Sequence, residues 1–370
     1  MLMPRAHGHS DRPTLAVAVL LLLAGIAFVY SASAEFATVR LGSPEQLLIN
    51  HAIRVVVSLA VMLIVSRVDY HILQQLSRPF LVLSVVLLLF VLVQGTQIKG
   101  AIRWLDIAGL SFQPSELAKF ALLFHLAVRM DQLDVELWDW KRGLLPLLGW
   151  TAVVCAPIAL QPNMSTALLV FMVAMMLLFV GGARVGQLAI IGTAGLVIAS
   201  IYAVGAEYRL QRLTAYLGRS GNTAESYQLQ QALIGYAQGG IVGVGPGQSR
   251  QRDLFLPESY GDFIAAIVGE EYGLIGVLLL LGCYGTLVVR GTMIARRAPD
   301  RLGYLLAWAV TLIVGWYALV NIAVSCGLLP TTGIPLPLVS YGGSSIVFTA
   351  AALGILLNIS RHGGQANASA

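Results

Sequence analysis

Asp262 stands where a long, polar, glycine-rich stretch gives way to an apolar run, in Leu256-Pro257-Glu258-Ser259-Tyr260-Gly261-Asp262-Phe263-Ile264. A carboxylate at the edge of a membrane segment is costly unless it is used, so by default it marks a functional site. The low-dielectric boundary favours its protonated form, which suits a general base. Glu258, Arg250 and Arg252 are close in sequence. Arginines there oppose that shift and supply donors for an anionic group such as pyrophosphate. The plainer use of Asp262 is to cap a helix N-terminus, a role compatible with the first. Glu270 and Glu271 fall two turns further on, facing a polar cavity, a cationic partner or a structural ion pair.

Three other segments carry polar groups in apolar surroundings. Lys99-Gly-Ala-Ile-Arg103-Trp104-Leu-Asp106 precedes Phe112-Gln113-Pro114-Ser115-Glu116-Leu117-Ala118-Lys119. Pro114 suits the first turn of a helix. Glu116 and Lys119, three apart, share one face. They form either a mutual ion pair or a pocket in which Lys119 meets a phosphate. The stretch Gly239–Gly247 could present backbone N–H groups to phosphates or simply make tight turns. Leu329–Ser345 holds Pro330, Pro335, Pro337, Gly333, Gly342, Gly343, Ser340 and Ser344. It reads as a broken or re-entrant segment, buried in protein or lining a wet cavity, or as an ordinary outer loop.

These groups need elements to hold them. The chain is 57% hydrophobic and 11% charged, against about 25% charged residues in soluble domains. That composition excludes a soluble protein and predicts an all-α, polytopic membrane protein. Spans of about 20 apolar residues are expected near 13–32, 50–66, 79–94, 114–130, 144–160, 164–181, 187–205, 263–290, 304–324 and 343–359. The first is read as a retained anchor rather than a cleaved signal. With the N-terminus in the cytoplasm, Arg5, Arg12, Arg67, Arg78, Arg129, Lys141, Arg142, Arg184, Arg290, Arg296, Arg297, Arg301 and Arg361 all fall inside, so both termini are cytoplasmic. Arg40, Lys99 and Arg103 fall in short outer loops. Residues 206–262 form one large extracytoplasmic loop, with a short amphipathic helix at Tyr227–Ala237. The four polar segments then converge on the outer face. The chain reads as a single membrane domain, 1–370. Cys155, Cys283 and Cys326 are far apart, match no metal spacing and read as packing residues. Nothing points to a nucleic-acid partner.

Phe112–Lys119, Leu256-Pro-Glu…Asp262-Phe…Gly269-Glu-Glu-Tyr-Gly273 and Gly327-Leu-Leu-Pro…Pro337-Leu-Val-Ser-Tyr-Gly-Gly-Ser-Ser345 together resemble the SEDS family (shape, elongation, division and sporulation proteins, of RodA/FtsW type), in order along nearly the whole chain. The resemblance implies a ten-helix enzyme of the bacterial cytoplasmic membrane that polymerises lipid II into glycan strands at its outer face. The family's essential aspartate falls on Asp262, and its motif carboxylate and lysine on Glu116 and Lys119. Where many members carry an acid after Gln-Pro, this chain has Gln161-Pro162-Asn163, which argues against catalysis at that position. Gly245–Gln251 is closer to the division branch and Gly333–Ser340 to the elongation branch.

Residues and resemblance combine into an inverting glycosyl transfer. Asp262 takes the proton of an acceptor hydroxyl, and lipid pyrophosphate leaves toward cations. The candidate substrate-binding residues are Glu116, Lys119, Lys99, Arg103, Arg250, Arg252, Glu258, Ser340 and Ser344. A divalent cation, magnesium or manganese, could be held by Asp262; no organic cofactor is expected. The expected partners are lipid II, membrane lipids and a class B penicillin-binding protein supplying transpeptidation. Gly192, Ala194 and Gly195 are small residues suited to helix packing, within the bundle or against such a partner. The rival readings are a lipid II flippase, which predicts charges through the full membrane depth, and a non-catalytic scaffold, which leaves Asp262 dispensable.

Overall fold

The computed structural model describes residues 10–98, 101–107, 110–133, 137, 139–205, 224–253 and 255–366. It contains α1 (Arg12–Leu41), α2 (Gln46–Val65), a short 3-10 turn (Tyr70–Ile72), α3 (Leu73–Gln94), α4 (Pro114–Gln132) and α5 (Leu145–Leu160), followed by α6 (Met164–Val180) and α7 (Val185–Val204). Four further helices follow among the described residues: α8 (Ala224–Gly239), α9 (Ile264–Arg296), α10 (Arg301–Ser325) and α11 (Ser345–Ala366). Ten of these coincide with the ten expected segments. Among the described residues, eight spans are long and apolar enough to cross a membrane, and α6 is apolar but shorter. The protein is a multi-pass, helical membrane protein. A small antiparallel sheet was not expected: β1 (Thr96–Ile98), β2 (Ala101–Ile107) and β3 (Leu110–Phe112), in that order, cover the entrance to α4.

The centre of the bundle is α4, whose residues Pro114–Val128 are all buried. It packs on α3, α5, α6, α10 and α11. A helix enclosed on every side should be apolar all round, yet this one carries Glu116 and Lys119. α11 lies along α2, and α1 runs between α2 and α9. Asp11 caps α1 through the Thr14 N–H at 3.0 Å and pairs with Arg290 of α9. Burial alone would raise the Asp11 pKa, but the bonds from Arg290 and Thr14 outweigh it and hold it below its ordinary value.

Two irregular features shape the half of the bundle that holds Asp262. Residues 326–344 have no helix, yet Ile334, Leu336, Leu338 and Val339 are at most 2% exposed. Irregular backbone at this depth is tolerated only when protein surrounds it. Here Tyr284 donates to the Pro337 carbonyl at 2.5 Å, and α1 approaches so closely at Gly25 that a Cβ there would sit 2.9 Å from the Val339 oxygen.

The second is a break in α9 at Gly273, where φ is 66° and ψ is −162°. The break frees backbone groups, and the loop after α8 takes them up. Val244 and Gly245 N–H donate to the carbonyls of Glu270 and Glu271 (both 3.0 Å), and Leu274 and Ile275 N–H donate to those of Gly240 and Ile241 (2.9 and 3.2 Å). A Cβ on Gly273 would collide with the Ile241 carbonyl and the Gly243 nitrogen. Gly273→Ala should therefore cost about 1–3 kcal/mol in backbone strain, with overpacking of about 1–3 kcal/mol added. Gly282→Ala, in the same helix where a Cβ meets nothing within 4 Å, should be neutral or stabilising. Melting both variants in detergent checks this; equal Tm values would refute the strain.

Candidate functional site

The Asp262 turn and the 334–341 segment are stitched together. Ser340 Oγ donates to the Gly261 carbonyl at 2.7 Å and accepts from the Leu336 N–H at 2.8 Å. Tyr341 N–H donates to the Tyr260 carbonyl at 3.0 Å. Asn321 of α10, 1% exposed, sends its side-chain amide to the carbonyls of Asp262 (2.8 Å) and Ile334 (2.7 Å). Nearby, Gly333 turns at φ 70°, and a Cβ there would lie 3.4 Å from an Asp262 carboxylate oxygen. These bonds hold the backbone on both sides of Asp262 while leaving its side chain half-buried. Asp262 is not the helix cap: Phe263 is, and no side chain caps α9.

Around it, Glu258 is half-buried and sits at φ 59°, its carbonyl accepting from Gly261 and Phe263 N–H. Burial first, then the charge of Glu258 and the neighbouring Tyr341 and Asp262, raise the Tyr260 pKa, so its phenol stays neutral. Tyr260 and Tyr341 meet edge to face, ring centroids 5.8 Å apart. Ser344 accepts from the Gln113 N–H at 3.1 Å, joining the start of α11 to the start of α4.

Glu116 and Lys119 pair with each other at 2.7 Å and are 3% and 2% exposed. The Lys119 ammonium also lies 3.9 Å from the centre of the Tyr317 ring. Of the two readings of this pair, the ion pair is the one formed. Arg103 donates to the carbonyls of Gln161 (3.0 Å) and Pro162, where α5 ends, so it braces the α5–α6 break. Asn163 in that break is buried. Arg250 has an exposed side chain. Arg252 is half-buried, 3.5 Å from Asp253 and 3.4 Å from the Ser31 carbonyl. Lys99 lies outside the described residues. In α7, Gly195 faces the Phe171 ring of α6, within the bundle, whereas a Cβ on Gly192 would meet nothing within 4 Å.

The glycine-rich loop does surround anions, but they are the chain's own. Glu270, fully buried, accepts from the Ser249 hydroxyl and from the N–H groups of Arg250 (3.0 Å) and Gln251 (3.3 Å). Glu271 accepts from the Ser31 hydroxyl at 2.5 Å and from the N–H groups of Gly247 and Ser249. Within Gly239–Gly247 the N–H groups of Gly240, Gly243, Val244 and Gly245 donate to main-chain carbonyls and that of Gly247 to Glu271, so these donors are not open to a phosphate. Consecutive glutamates beside a glycine-rich loop were the available signal for this arrangement.

The arrangement offers the half-buried Asp262 carboxylate on a fixed backbone, near the half-buried Glu258 and the neutral phenol of Tyr260. Comparison with known proteins agrees in order and extent. The profile of the cell cycle protein family comprising FtsW, RodA and SpoVE matches residues 12–365. A probable peptidoglycan glycosyltransferase FtsW of Geobacter metallireducens is 37% identical over 95% of this chain and 94% of its own. The stage V sporulation protein E of Bacillus subtilis is 34% identical over 94% and 95%. Among solved structures, a chain from a study of how a peptidoglycan synthase complex coordinates polymerization and crosslinking superposes with a TM-score of 0.78 at 29% identity, covering 95% of this chain and 98% of that one. The Thermus thermophilus rod shape determining protein RodA gives 0.70 at 26%, covering 95% and 97%.

Proposed function

Because the chain belongs to the FtsW, RodA and SpoVE family of cell cycle proteins, we propose that it is a peptidoglycan glycosyltransferase that polymerises lipid II at the outer face of the cytoplasmic membrane, with both termini inside. The observation that carries this reading is the half-buried Asp262 carboxylate on a backbone clamped by Asn321 and Ser340. A general base needs its geometry fixed and its carboxylate within reach of the proton it removes. Asp262 takes the proton of the acceptor sugar 4-hydroxyl, that oxygen bonds to the anomeric carbon of the donor with inversion, and lipid pyrophosphate departs with the electron pair of the broken C–O bond. Arg250 and Arg252 lie in the loop joined to Asp262 and provide positive charge for the departing group. Glu116 and Lys119 support the floor beneath, while Glu258 and Ser344 border the approach.

A magnesium or manganese ion suits this donor set only as a shared ligand. Such ions take one or two protein carboxylates and complete their shell with substrate phosphates. Among the described residues no three His, Cys, Asp or Glu side chains gather to hold one alone. Asp262 would hold it, and when bound it would neutralise charge on the leaving phosphate. The partner we propose is a class B penicillin-binding protein, in keeping with the synthase complex among the structural relatives.

The test is glycan formation from purified lipid II by the full chain, with and without its penicillin-binding protein. Polymer on a gel is the expected result. No polymer in either mixture, with fluorescent lipid II flipped across proteoliposomes, would replace the transferase by a flippase; neither activity would leave a scaffold. On the transferase reading, Asn321→Leu should lower kcat by about 10–100-fold through misplacement of Asp262, with KM for lipid II little changed. A normal kcat would remove Asn321 from the positioning of the base.

A further inference from the structure

The transfer reaction uses polar groups around Asp262, but one unpaired polar cluster lies to the side of it, on α2. His51 is fully buried and neither of its ring nitrogens has a hydrogen-bond partner. Three residues on, Arg54 has a buried guanidinium nitrogen that is also unpartnered. Both face one ring: the Arg54 guanidinium carbon is 4.5 Å from the centre of Tyr341, and the His51 ring centroid is 5.8 Å from it. Among the described residues no carboxylate pairs with Arg54.

A cation and an N–H donor sharing a buried slot without an acceptor lack the group that would make burial favourable. An anion supplies it. Two further features select the kind of anion. First, α11 begins at Ser345, four residues after Tyr341, and it packs along α2. Its N-terminus directs positive potential toward the same end of α2. Guanidinium and helix N-terminus together suit phosphate. Second, the adjoining face of α2 is open and apolar, with Ile53, Val56 and Val57 exposed. An anion carried on a lipid can therefore slide in from the bilayer. Tyr341, which closes the slot, is the residue bonded to Tyr260, two positions before Asp262.

We propose that His51 and Arg54, closed over by Tyr341, form a subsite for a lipid-borne phosphate. Resting on the transferase reading above, its occupant is the pyrophosphate of the donor substrate. As the acceptor oxygen bonds to the anomeric carbon and its proton passes to Asp262, the C–O bond to phosphate breaks. The electron pair and the negative charge go to the pyrophosphate, where Arg54 stabilises them.

The test is equilibrium binding of undecaprenyl pyrophosphate to the full-length protein in phosphatidylcholine nanodiscs, a measurement that needs no turnover. Arg54→Gln should weaken it at least about tenfold, as expected for loss of a charge-assisted bond to phosphate. Arg54→Lys should lose less, and undecaprenol, which has no phosphate, should bind all proteins alike. Wild-type affinity in Arg54→Gln overturns the subsite. Should that variant fail to fold, His51→Leu decides, with several-fold weaker binding expected and unchanged binding overturning the proposal. Phosphatidylglycerol competing as well as the pyrophosphate, and losing as much in Arg54→Gln, would assign the slot to bulk anionic lipid and overturn the substrate assignment. A wild-type chain that binds the pyrophosphate through Arg54 but makes no polymer would refute the transferase reading and leave the phosphate site standing.

Discussion

Replacing Asp262 with asparagine is expected to lower lipid II polymerisation by about 10²–10⁴-fold, the range for losing a general base, with Tm unchanged. Asparagine nearly matches aspartate in size, and the contacts that fix this turn are made by backbone. The Asn321 amide reaches the Asp262 carbonyl, Ser340 reaches the Gly261 carbonyl, and Tyr341 reaches the Tyr260 carbonyl. None of these three bonds involves the carboxylate, so all three survive the change. The measurement is initial rate of glycan formation with the penicillin-binding protein present, alongside a melting curve. A folded Asp262→Asn protein polymerising at the wild-type rate would end the base assignment and, with it, the reason for placing a shared metal there.

The largest expected change in stability comes from the floor of the site. Lys119→Met strands Glu116, 3% exposed, without its partner; stranding one member of a buried pair typically costs about 3–5 kcal/mol. It also removes the ammonium from the Tyr317 ring, a contact of up to about 2 kcal/mol when desolvated. The double change Glu116→Gln with Lys119→Met should recover much of the loss, because no unpaired charge is left inside α4. Two single variants and the double, melted in one detergent, form the cycle. Additive losses would mean that the residues do not depend on each other. A stable double variant that makes no polymer would assign the pair to the substrate as well as to the fold.

The spans were legible because a membrane demands long apolar runs, and such runs stand out in a chain with few charges. Pro114 marked the start of α4 for a local reason, and the helix begins there. What escaped the sequence was decided by groups distant in the chain. The break at Gly273 follows Glu270 and Glu271 within an otherwise apolar run, and its freed backbone groups are satisfied by residues 240–245. Nothing in the local pattern of residues 263–290 announces that. The small sheet was missed because β1 and β3 are three residues each and the pairing is set between strands rather than by a pattern within one. Around Asp262 several roles were not separable by spacing. Ser340 and Arg103 have the chemistry of ligand-binding side chains, yet each is bonded to a main-chain carbonyl of the protein itself. The glycine loop illustrates the same ambiguity, since backbone N–H groups accept a glutamate as readily as a phosphate.

The clamp on Asp262 also sets a schedule for biosynthesis. Its donors follow it in the chain: Asn321 comes 59 residues after the carbonyl it holds, and Ser340 comes 79 residues after Gly261. Membrane proteins emerge from the ribosome N-terminus first, so the carboxylate arrives well before the groups that fix it. A nascent chain, or one truncated after α10, carries the base without Ser340 and Ile334 to complete its support. On the transferase reading, transfer chemistry is expected only once the last segment has packed.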